Sequence, residues 1–471
     1  MLRLHSASTA VVAIEASETF DMKNIRMAWW ALWLVVTGAC LLADTLWPRP
    51  WNYFAFRDVA VQFTGVLAIA AMSVALVLAA RLHWLERRLA PLNQMYRLHK
   101  WLGILALAAG VAHGWLIRGS MWMVNWGWLA RPEDGVQLPL EDGALPSWLA
   151  GQRDLAESLG GWAFYGAAIL LAAALIRRIP YHWFAKIHPL MSVVYLALAL
   201  HTVALLKPAY WTQPLGWLTA LLLAAGTAAA LWTLAGRAGA RRTVGGEVVA
   251  THDFAPLSVL RVTVAMPADW PGHAPGQFAF LTNHPNEDPH PYTIVSAWDS
   301  ARRDVTFLIK ALGDHTATLP RTLRAGLPVR VQGPYGRFTF DDDAPRQIWV
   351  GAGIGLAPFL SRMEHRTNER AAGSATPQPE VDLFYATSKE DPLMHAVLRE
   401  RARLAGVTMH ILVDGRDERL TPERLRAAVP GWRQASLWFC GPPGFGQTLR
   451  RDFTARGLPK ERFHQELFEM R

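Results

Sequence analysis

Two apolar stretches of similar design decide the fold of this chain: LHKWLGILALAAGVAHG at residues 98–114 and IHPLMSVVYLALALHTV at residues 187–203. Each stretch carries one histidine near either end, 14 residues apart in the first and 13 in the second. Histidine is costly in a bilayer, so an intramembrane histidine indicates a functional site by default. Either separation spans roughly 20 Å along a helix, which is most of the hydrocarbon thickness. Two such helices side by side therefore place one imidazole pair near each membrane face.

The four histidines are candidate metal ligands, since imidazole is a common axial ligand of haem iron. Helices that run in the same direction pair His99 with His188 and His113 with His201, which predicts two stacked b-type haems. The alternative is that each histidine makes a structural hydrogen bond to a neighbouring helix. Thirteen residues leave about 140° between His188 and His201 in an ideal helix, and we expect Pro189 to relax this misfit.

Six apolar segments are long enough to span, or nearly span, a membrane. They are residues 27–47, 59–80, 100–117, 161–177, 189–206 and 215–235. Arginine and lysine fill the links after the second, fourth and sixth segments. The positive-inside rule therefore predicts a multi-pass membrane protein, in contact with lipid, with residues 1–24 and everything after residue 237 in the cytoplasm. The link at 118–160 lies on the far side.

The bulk composition excludes several classes of protein. The chain has 471 residues, a net charge of +9 and 52% hydrophobic residues. Its basic residues cluster at the ends of apolar runs, which indicates membrane topology and argues against a nucleic-acid partner. Cys40 and Cys440 cannot supply the four thiolates of an iron–sulfur cluster or form a disulfide framework.

The second half of the sequence changes character. From about residue 245, short strands with turn signals predict a small antiparallel β-barrel. After about residue 346, strands alternate with helices, which predicts a parallel α/β sheet. The segment IWVGAGIGLAPFLSRM holds Gly351, Gly353 and Gly355 between a strand and a helix. Such glycines let a backbone approach a pyrophosphate, although an ordinary strand–helix turn is the alternative.

A series of motifs gives this half its resemblance. APGQF at 274–278, HPYT at 290–293, GDHT at 313–316, GPYG at 333–336 and CGPP at 440–443 follow in that order. The series resembles the ferredoxin-NADP reductase-type flavoprotein superfamily. With the six spans and four histidines, the chain resembles the ferric reductase transmembrane family, which includes the NADPH oxidases.

This resemblance implies a six-helix transmembrane haem-binding bundle at 25–237, an antiparallel β-barrel FAD domain at 243–342 and an α/β NAD(P)-binding domain at 346–471. It implies that Thr293 bonds the flavin near N5, that Cys440 lies beside the nicotinamide, and that Phe468 stacks over the flavin. The expected cofactor-binding residues are His290, Pro291, Tyr292, Thr293, Lys310, Gly313, Asp314, Thr316, Gly351, Gly353, Gly355, Pro358, Ser388, Lys389, Cys440, Gly441, Pro442 and Phe468. For Cys440 and Phe468, core packing is the alternative.

The nucleotide preference depends on the segment LFYATSKED. No acidic residue stands clearly at the end of this strand, where a ribose hydroxyl partner would lie in an NAD site. Ser388 and Lys389 are candidates to hold a 2′-phosphate, and Arg416 is a further one. The sequence therefore favours NADPH over NADH.

The implied path runs from NADPH through FAD and two haems to an acceptor outside the cytoplasm. Three acceptors compete: ferric or cupric complexes, oxygen reduced to superoxide, or a periplasmic protein partner. We place the metal complexes first. Tyr195 falls between the two histidine depths, where it either narrows the gap between haems or packs in the core.

Overall fold

The computed structural model describes residues 23–47, 51–89, 91–130, 152–176, 179, 181–284, 287, 289–374 and 377–466. The chain divides into two compact units, with the boundary between Ala240 and Arg241. The first unit is helical and the second contains all eleven strands of the described residues.

Six helical segments of the first unit are long and apolar enough to cross a membrane, which confirms the predicted number within the described residues. They are α1 (Lys23–Ala43), α2 (Tyr53–Ala79), α4 (Leu92–Asn125), α5 (Arg153–Leu175), the α6–α7 segment (Tyr181–Ile187 and Met191–Leu205) and α8 (Pro214–Leu234). The short helix α3 (His83–Arg88) connects α2 to α4. Helix α4 has 34 residues and is much longer than its apolar run predicts, because the helix continues through polar residues at both ends.

The fifth span is irregular where its first histidine lies. A 3-10 turn over His188–Leu190, with Pro189 in its first positions, separates α6 from α7. A 3-10 turn winds by about 120° per residue against about 100° in an α-helix. Three such residues reduce the misfit between His188 and His201 from about 140° to about 80°, in the direction expected from Pro189.

The core of the helical unit uses small side chains for close helix contacts. Ala70, Ala71 and Ser73 of α2 are completely buried. The hydroxyl of Tyr195 lies 2.9 Å from Oγ of Ser73, and a Cβ added to Gly226 would lie 2.1 Å from that hydroxyl oxygen. Tyr195 therefore packs against α2 and α8, which favours its structural role.

An ion-pair network joins three segments at the end of the helical unit that holds the C-terminus of α1 and the N-terminus of α2. Nζ of Lys207 lies 3.0 Å from Oδ2 of Asp44 and 2.7 Å from Oδ2 of Asp58. The Tyr210 hydroxyl donates to Asp44 Oδ2 at 2.7 Å. Because each acid has a cationic or hydroxyl partner, these charges are stabilised at low exposure.

The first sheet of the second unit has six antiparallel strands in the order β4-β3-β6-β1-β2-β5. They are β1 (Thr243–Phe254), β2 (Val259–Ala265), β3 (Phe278–Thr282), β4 (His290–Thr293), β5 (Asp304–Lys310) and β6 (Pro328–Tyr335), with α9 (Asp314–Thr322) after β5. An isolated antiparallel bridge from Ile294 to Phe307 links the two edge strands. The antiparallel sheet is confirmed, and complete barrel closure stays a prediction.

The second sheet has five parallel strands in the order β11-β10-β7-β8-β9, as alternation of strands and helices predicts. The strands are β7 (Arg346–Ala352), β8 (Glu380–Thr387), β9 (Thr408–Val413), β10 (Ser436–Cys440) and β11 (Phe463–Glu466). The helices are α10 (Ala357–Ala371), α11 (Pro392–Ala405), α12 (Pro422–Ala428) and α13 (Pro443–Ala455). Asp391 caps α11 by accepting from Met394 N, and Thr421 caps α12 by accepting from Arg424 N.

Candidate functional site

The structure brings the four membrane histidines together as two pairs. The ring centroids of His99 and His188 are 5.9 Å apart, with planes at 74°. Those of His113 and His201 are 6.2 Å apart, with planes at 80°. A metal ion bound by two opposed imidazoles at about 2 Å each would separate the centroids by about 6 Å. Both pairs therefore have the spacing of a bis-imidazole iron site.

Hydrogen bonds fix the orientation of three of these rings. Nδ1 donates to Ala75 O at 2.9 Å in His99, to Val61 O at 2.9 Å in His113, and to Ala156 O at 2.8 Å in His201. A protonated Nδ1 leaves the Nε2 lone pair available for a metal, and such a carbonyl partner is the usual support of a histidine ligand. Three of the four rings thus have the hydrogen bond that supports metal binding through Nε2.

His188 is held differently. Its Nδ1 is buried and has no hydrogen-bond partner among the described residues. Its ring stacks on Phe184, with centroids 4.8 Å apart and planes at 29°. Packing against Phe184 therefore orients the ring of His188, whereas a hydrogen bond to a backbone carbonyl orients each of the other three rings.

Two glycines make room for the rings of the second pair. A Cβ added to Gly160 would lie 2.1 Å from Nδ1 of His201, inside the ring. A Cβ added to Gly65 would lie 3.2 Å from Cε1 of His113. Gly160 and Ala156 lie on the same helix, α5. Because Gly160 has no side chain, the ring of His201 comes close enough to α5 to reach the carbonyl of Ala156.

The second unit contains a cavity of about 690 Å³ between its two sheets. Its lining includes many of the residues that the motifs single out: Pro291, Tyr292, Thr293, Lys310, Thr316, Gly353, Gly355, Ser388, Cys440, Gly441 and Pro442. A volume of this size suits a dinucleotide-sized or drug-sized ligand. One cavity thus gathers residues from the HPYT, GDHT, glycine-rich and CGPP segments, while APGQF and GPYG contribute none to its lining.

The glycine-rich turn leads directly into a helix. A 3-10 turn over Gly353–Leu356 follows β7, and α10 begins at Ala357. A Cβ on Gly355 would lie 2.1 Å from the carbonyl oxygen of Cys440. Only glycine fits there, because the turn passes against the end of β10. The N-terminal end of a helix favours a negative charge, which makes this turn a candidate position for a phosphate.

The HPYT and GDHT segments lie on neighbouring elements. Thr293 ends β4 and is buried. Tyr292 has a buried hydroxyl with no partner among the described residues, and burial raises its pKa. Oγ1 of Thr316 accepts from Leu312 N at 2.9 Å and from Gly313 N at 3.2 Å, which fixes the turn that starts α9.

Cys440 has a neighbour that the sequence prediction missed. Cys440 and Glu466 are directly paired in the parallel register of β10 and β11, and both are buried. Burial raises the pKa of Glu466 to about 8. Burial, followed by the nearby Glu466, raises the pKa of the Cys440 thiol. The pair is therefore a neutral thiol and a neutral carboxylic acid at pH 7. The available sequence signal is Glu466 itself, two residues before Phe468.

The three residues predicted to bind a 2′-phosphate differ in their position at the cavity and in their partners. Ser388 lines the cavity, and the adjacent Lys389 is exposed. The guanidinium of Arg416 forms ion pairs with two acidic residues. Its Nη1 lies 2.5 Å from Glu390 Oε1, and its Nη2 lies 2.8 Å from Asp417 Oδ2. Lys389 is therefore a better phosphate candidate than Arg416.

Some predicted residues are not at the cavity wall. His290, Gly313, Gly351, Pro358 and Lys389 are described but are absent from its lining. Phe468 and the side chain of Asp314 lie outside the described residues. Their predicted roles stay predictions.

One comparison with known proteins concerns the helical unit. Residues 64–199 match the family model described as "Ferric reductase like transmembrane component". This chain carries a ferric reductase-like transmembrane domain. The match includes His99, His113 and His188 and ends two residues before His201.

Reductase components are among the similar curated proteins. The reductase component of propane 2-monooxygenase from Mycolicibacterium smegmatis is 28% identical over 211 residues, covering 41% of this chain and 58% of that protein. The NADPH oxidoreductase of Mycobacterium tuberculosis is 28% identical over 186 residues, covering 38% of this chain and 47% of that protein. The chain thus spans about half the length of the curated relatives it matches.

Solved structures give a weaker likeness. The Amycolatopsis cytochrome P450 reductase is 22% identical, with a TM-score of 0.40, and the match covers 48% of this chain and 70% of that one.

Proposed function

We propose that this protein is a transmembrane oxidoreductase of a bacterial inner membrane. It passes electrons from cytoplasmic NADPH through FAD and two b-type haems to ferric or cupric complexes on the other side. The observation that carries this proposal is the pairing of His99 with His188 and of His113 with His201 inside a ferric reductase-like domain.

The donor set of the helical unit fits haem. Each pair offers two imidazoles at the spacing of a bis-imidazole iron site. His99 with His188 and His113 with His201 would hold one haem each. Haem iron, when bound, supplies one-electron redox chemistry, and FAD converts hydride transfer from the nucleotide into single-electron steps.

The protein supplies placement and proton control around these groups. Ala75, Val61 and Ala156 hold Nδ1 of three ligands protonated, so that Nε2 is the coordinating atom. In the second unit, the start of α10 binds phosphate, and the buried walls at Thr293 and Cys440 exclude water from the reacting ring. A hydride transfer in a dry cavity avoids loss of the hydride to solvent.

The acceptor is tested with the purified protein in sealed proteoliposomes. NADPH added to the side that exposes the second unit should reduce ferric citrate enclosed on the opposite side, without added mediator. Fast reoxidation by oxygen with superoxide formation, and no reaction with ferric citrate, would identify the oxidase instead. Reduction of neither would point to a dedicated protein acceptor.

Lys389 should determine the preference for NADPH. Lys389→Ala is expected to lower kcat/KM for NADPH by about 5- to 10-fold and to leave NADH unchanged, because an exposed phosphate–lysine contact contributes about 1 kcal/mol. Steady-state kinetics with both nucleotides measures this. Arg416→Ala is the matched control and should change the ratio less, since Arg416 is paired with Glu390 and Asp417. Equal losses for NADPH and NADH in Lys389→Ala would exclude a 2′-phosphate role.

A further inference from the structure

Three metal-ligating side chains meet close to the cavity of the second unit. Glu287, His290 and His315 each offer one ligand atom, and these atoms all lie within 4.8 Å of one another. Nδ1 of His315 is 2.7 Å from Oε1 of Glu287. The rings of His290 and His315 stack with centroids 3.8 Å apart and planes at 13°. Two imidazoles and a carboxylate are the protein ligands of a well-known class of zinc site.

Glu287 has unused binding capacity. Its Oε2 is buried and has no hydrogen-bond partner among the described residues, while Oε1 contacts His315. A buried carboxylate oxygen without a partner is costly, and a cation removes that cost. This orphaned oxygen is an observation independent of the clustering itself.

We propose that Glu287, His290 and His315 bind one divalent transition-metal ion, for which Zn²⁺ is the matching probe, and that this ion opposes flavin binding. Tetrahedral ligands at about 2.0–2.2 Å from zinc lie about 3.3–3.6 Å apart, so the three ligand atoms have to approach one another. The ion lies in the plane of each imidazole that binds it, so the stacked rings of His290 and His315 turn out of their parallel arrangement when it binds. The fourth position is left to water. The effect on flavin rests on the proposed function, which assigns His290 and the GDHT loop to FAD.

Competition follows from where the ligands lie in the chain. Pro291 and Tyr292, next to His290, line the cavity, and so does Thr316, next to His315. A metal that draws the two imidazoles onto Glu287 fixes β4 and the start of α9 in one arrangement. The imidazoles are then no longer available to a flavin phosphate.

The metal site is tested by titrating Zn²⁺ into the chelator-washed full-length protein against a chromophoric chelator. Wild type should bind one more equivalent than Glu287→Gln, which keeps an acceptor for His315 but is a poor zinc ligand. Glu247→Gln, an exposed glutamate in β1, is the matched control and should behave as wild type. His315→Gln should lose the same equivalent. Equal zinc binding in wild type and both ligand variants would overturn the proposal.

The flavin effect has its own measurement. FAD is titrated by quenching of its fluorescence, with and without Zn²⁺ at ten times its Kd. Zinc should weaken FAD binding by about tenfold in wild type and not in Glu287→Gln, and Mg²⁺ should have no effect. An unchanged FAD affinity with zinc bound would overturn the competition. A wild-type protein that binds no FAD even without metal would contradict the proposed function, while the zinc titration would still decide the metal site.

Discussion

Gly160→Ala is expected to reduce the haem content of the purified protein from two per chain to one. The added Cβ would lie 2.1 Å from Nδ1 and 2.4 Å from Cε1 of His201, so the ring has to leave its position. Its hydrogen bond to Ala156 O, 2.8 Å long, is then lost, and the ring no longer keeps its spacing of 6.2 Å from the His113 ring. Haem content is measured by the pyridine haemochrome absorbance per mole of protein.

Gly161→Ala is the matched control for this change. A Cβ at Gly161 meets nothing closer than Nη2 of Arg118, at 3.6 Å. The two variants differ by one position on the same helix and share the same change in helix propensity. Two haems in Gly160→Ala, or one in both variants, would contradict the assignment of His201.

Glu466→Gln is expected to remove a large pH dependence of stability in the second unit. The pKa of Glu466 is raised by burial to about 8 from an ordinary value near 4.5. Below about pH 4.5 the folded and unfolded states are both protonated, so the group has no effect on stability. Above it, only the unfolded state ionises, and the free energy of unfolding falls until about pH 8. At about 1.36 kcal/mol per pH unit, the free energy of unfolding falls by several kcal/mol in total over this range.

Thermal unfolding followed by flavin release measures the effect. Between pH 5 and pH 8.5, wild type should lose on the order of 5–10 °C more in Tm than Glu466→Gln. Glu461→Gln, an exposed glutamate before β11, should follow wild type. Parallel pH profiles for wild type and Glu466→Gln would show that the Glu466 carboxyl is not held protonated.

The histidine pairs could be predicted from the sequence because their spacing and apolar flanks determine both depth and partner. The atoms that orient them could not. Ala75, Val61 and Ala156 contribute backbone carbonyls from other helices, and a backbone group leaves no trace in the sequence. The spacing of 13 residues predicts a misfit between the rings of His188 and His201, and the 3-10 turn at His188 removes part of it.

In the second unit, the motifs singled out many residues that line one cavity, because the HPYT, glycine-rich and CGPP segments lie at strand ends and turns. Glu466 was missed because its significance comes from the register of β10 and β11, which pairs it with Cys440. Glu287 was missed for a similar reason, since it is 28 residues from His315 and meets it only through the fold. The length of α4 was underestimated because polar residues extend the helix beyond its apolar stretch.

The most direct test of the central claim is the reduced-minus-oxidised absorption spectrum of the purified protein, with NADPH added under nitrogen. We predict a b-type haem spectrum that develops with NADPH and corresponds to two haems. The double variant His113→Ala with His201→Ala should retain one of them. A wild-type protein with no haem spectrum would contradict the account and leave a membrane-bound flavin reductase in its place.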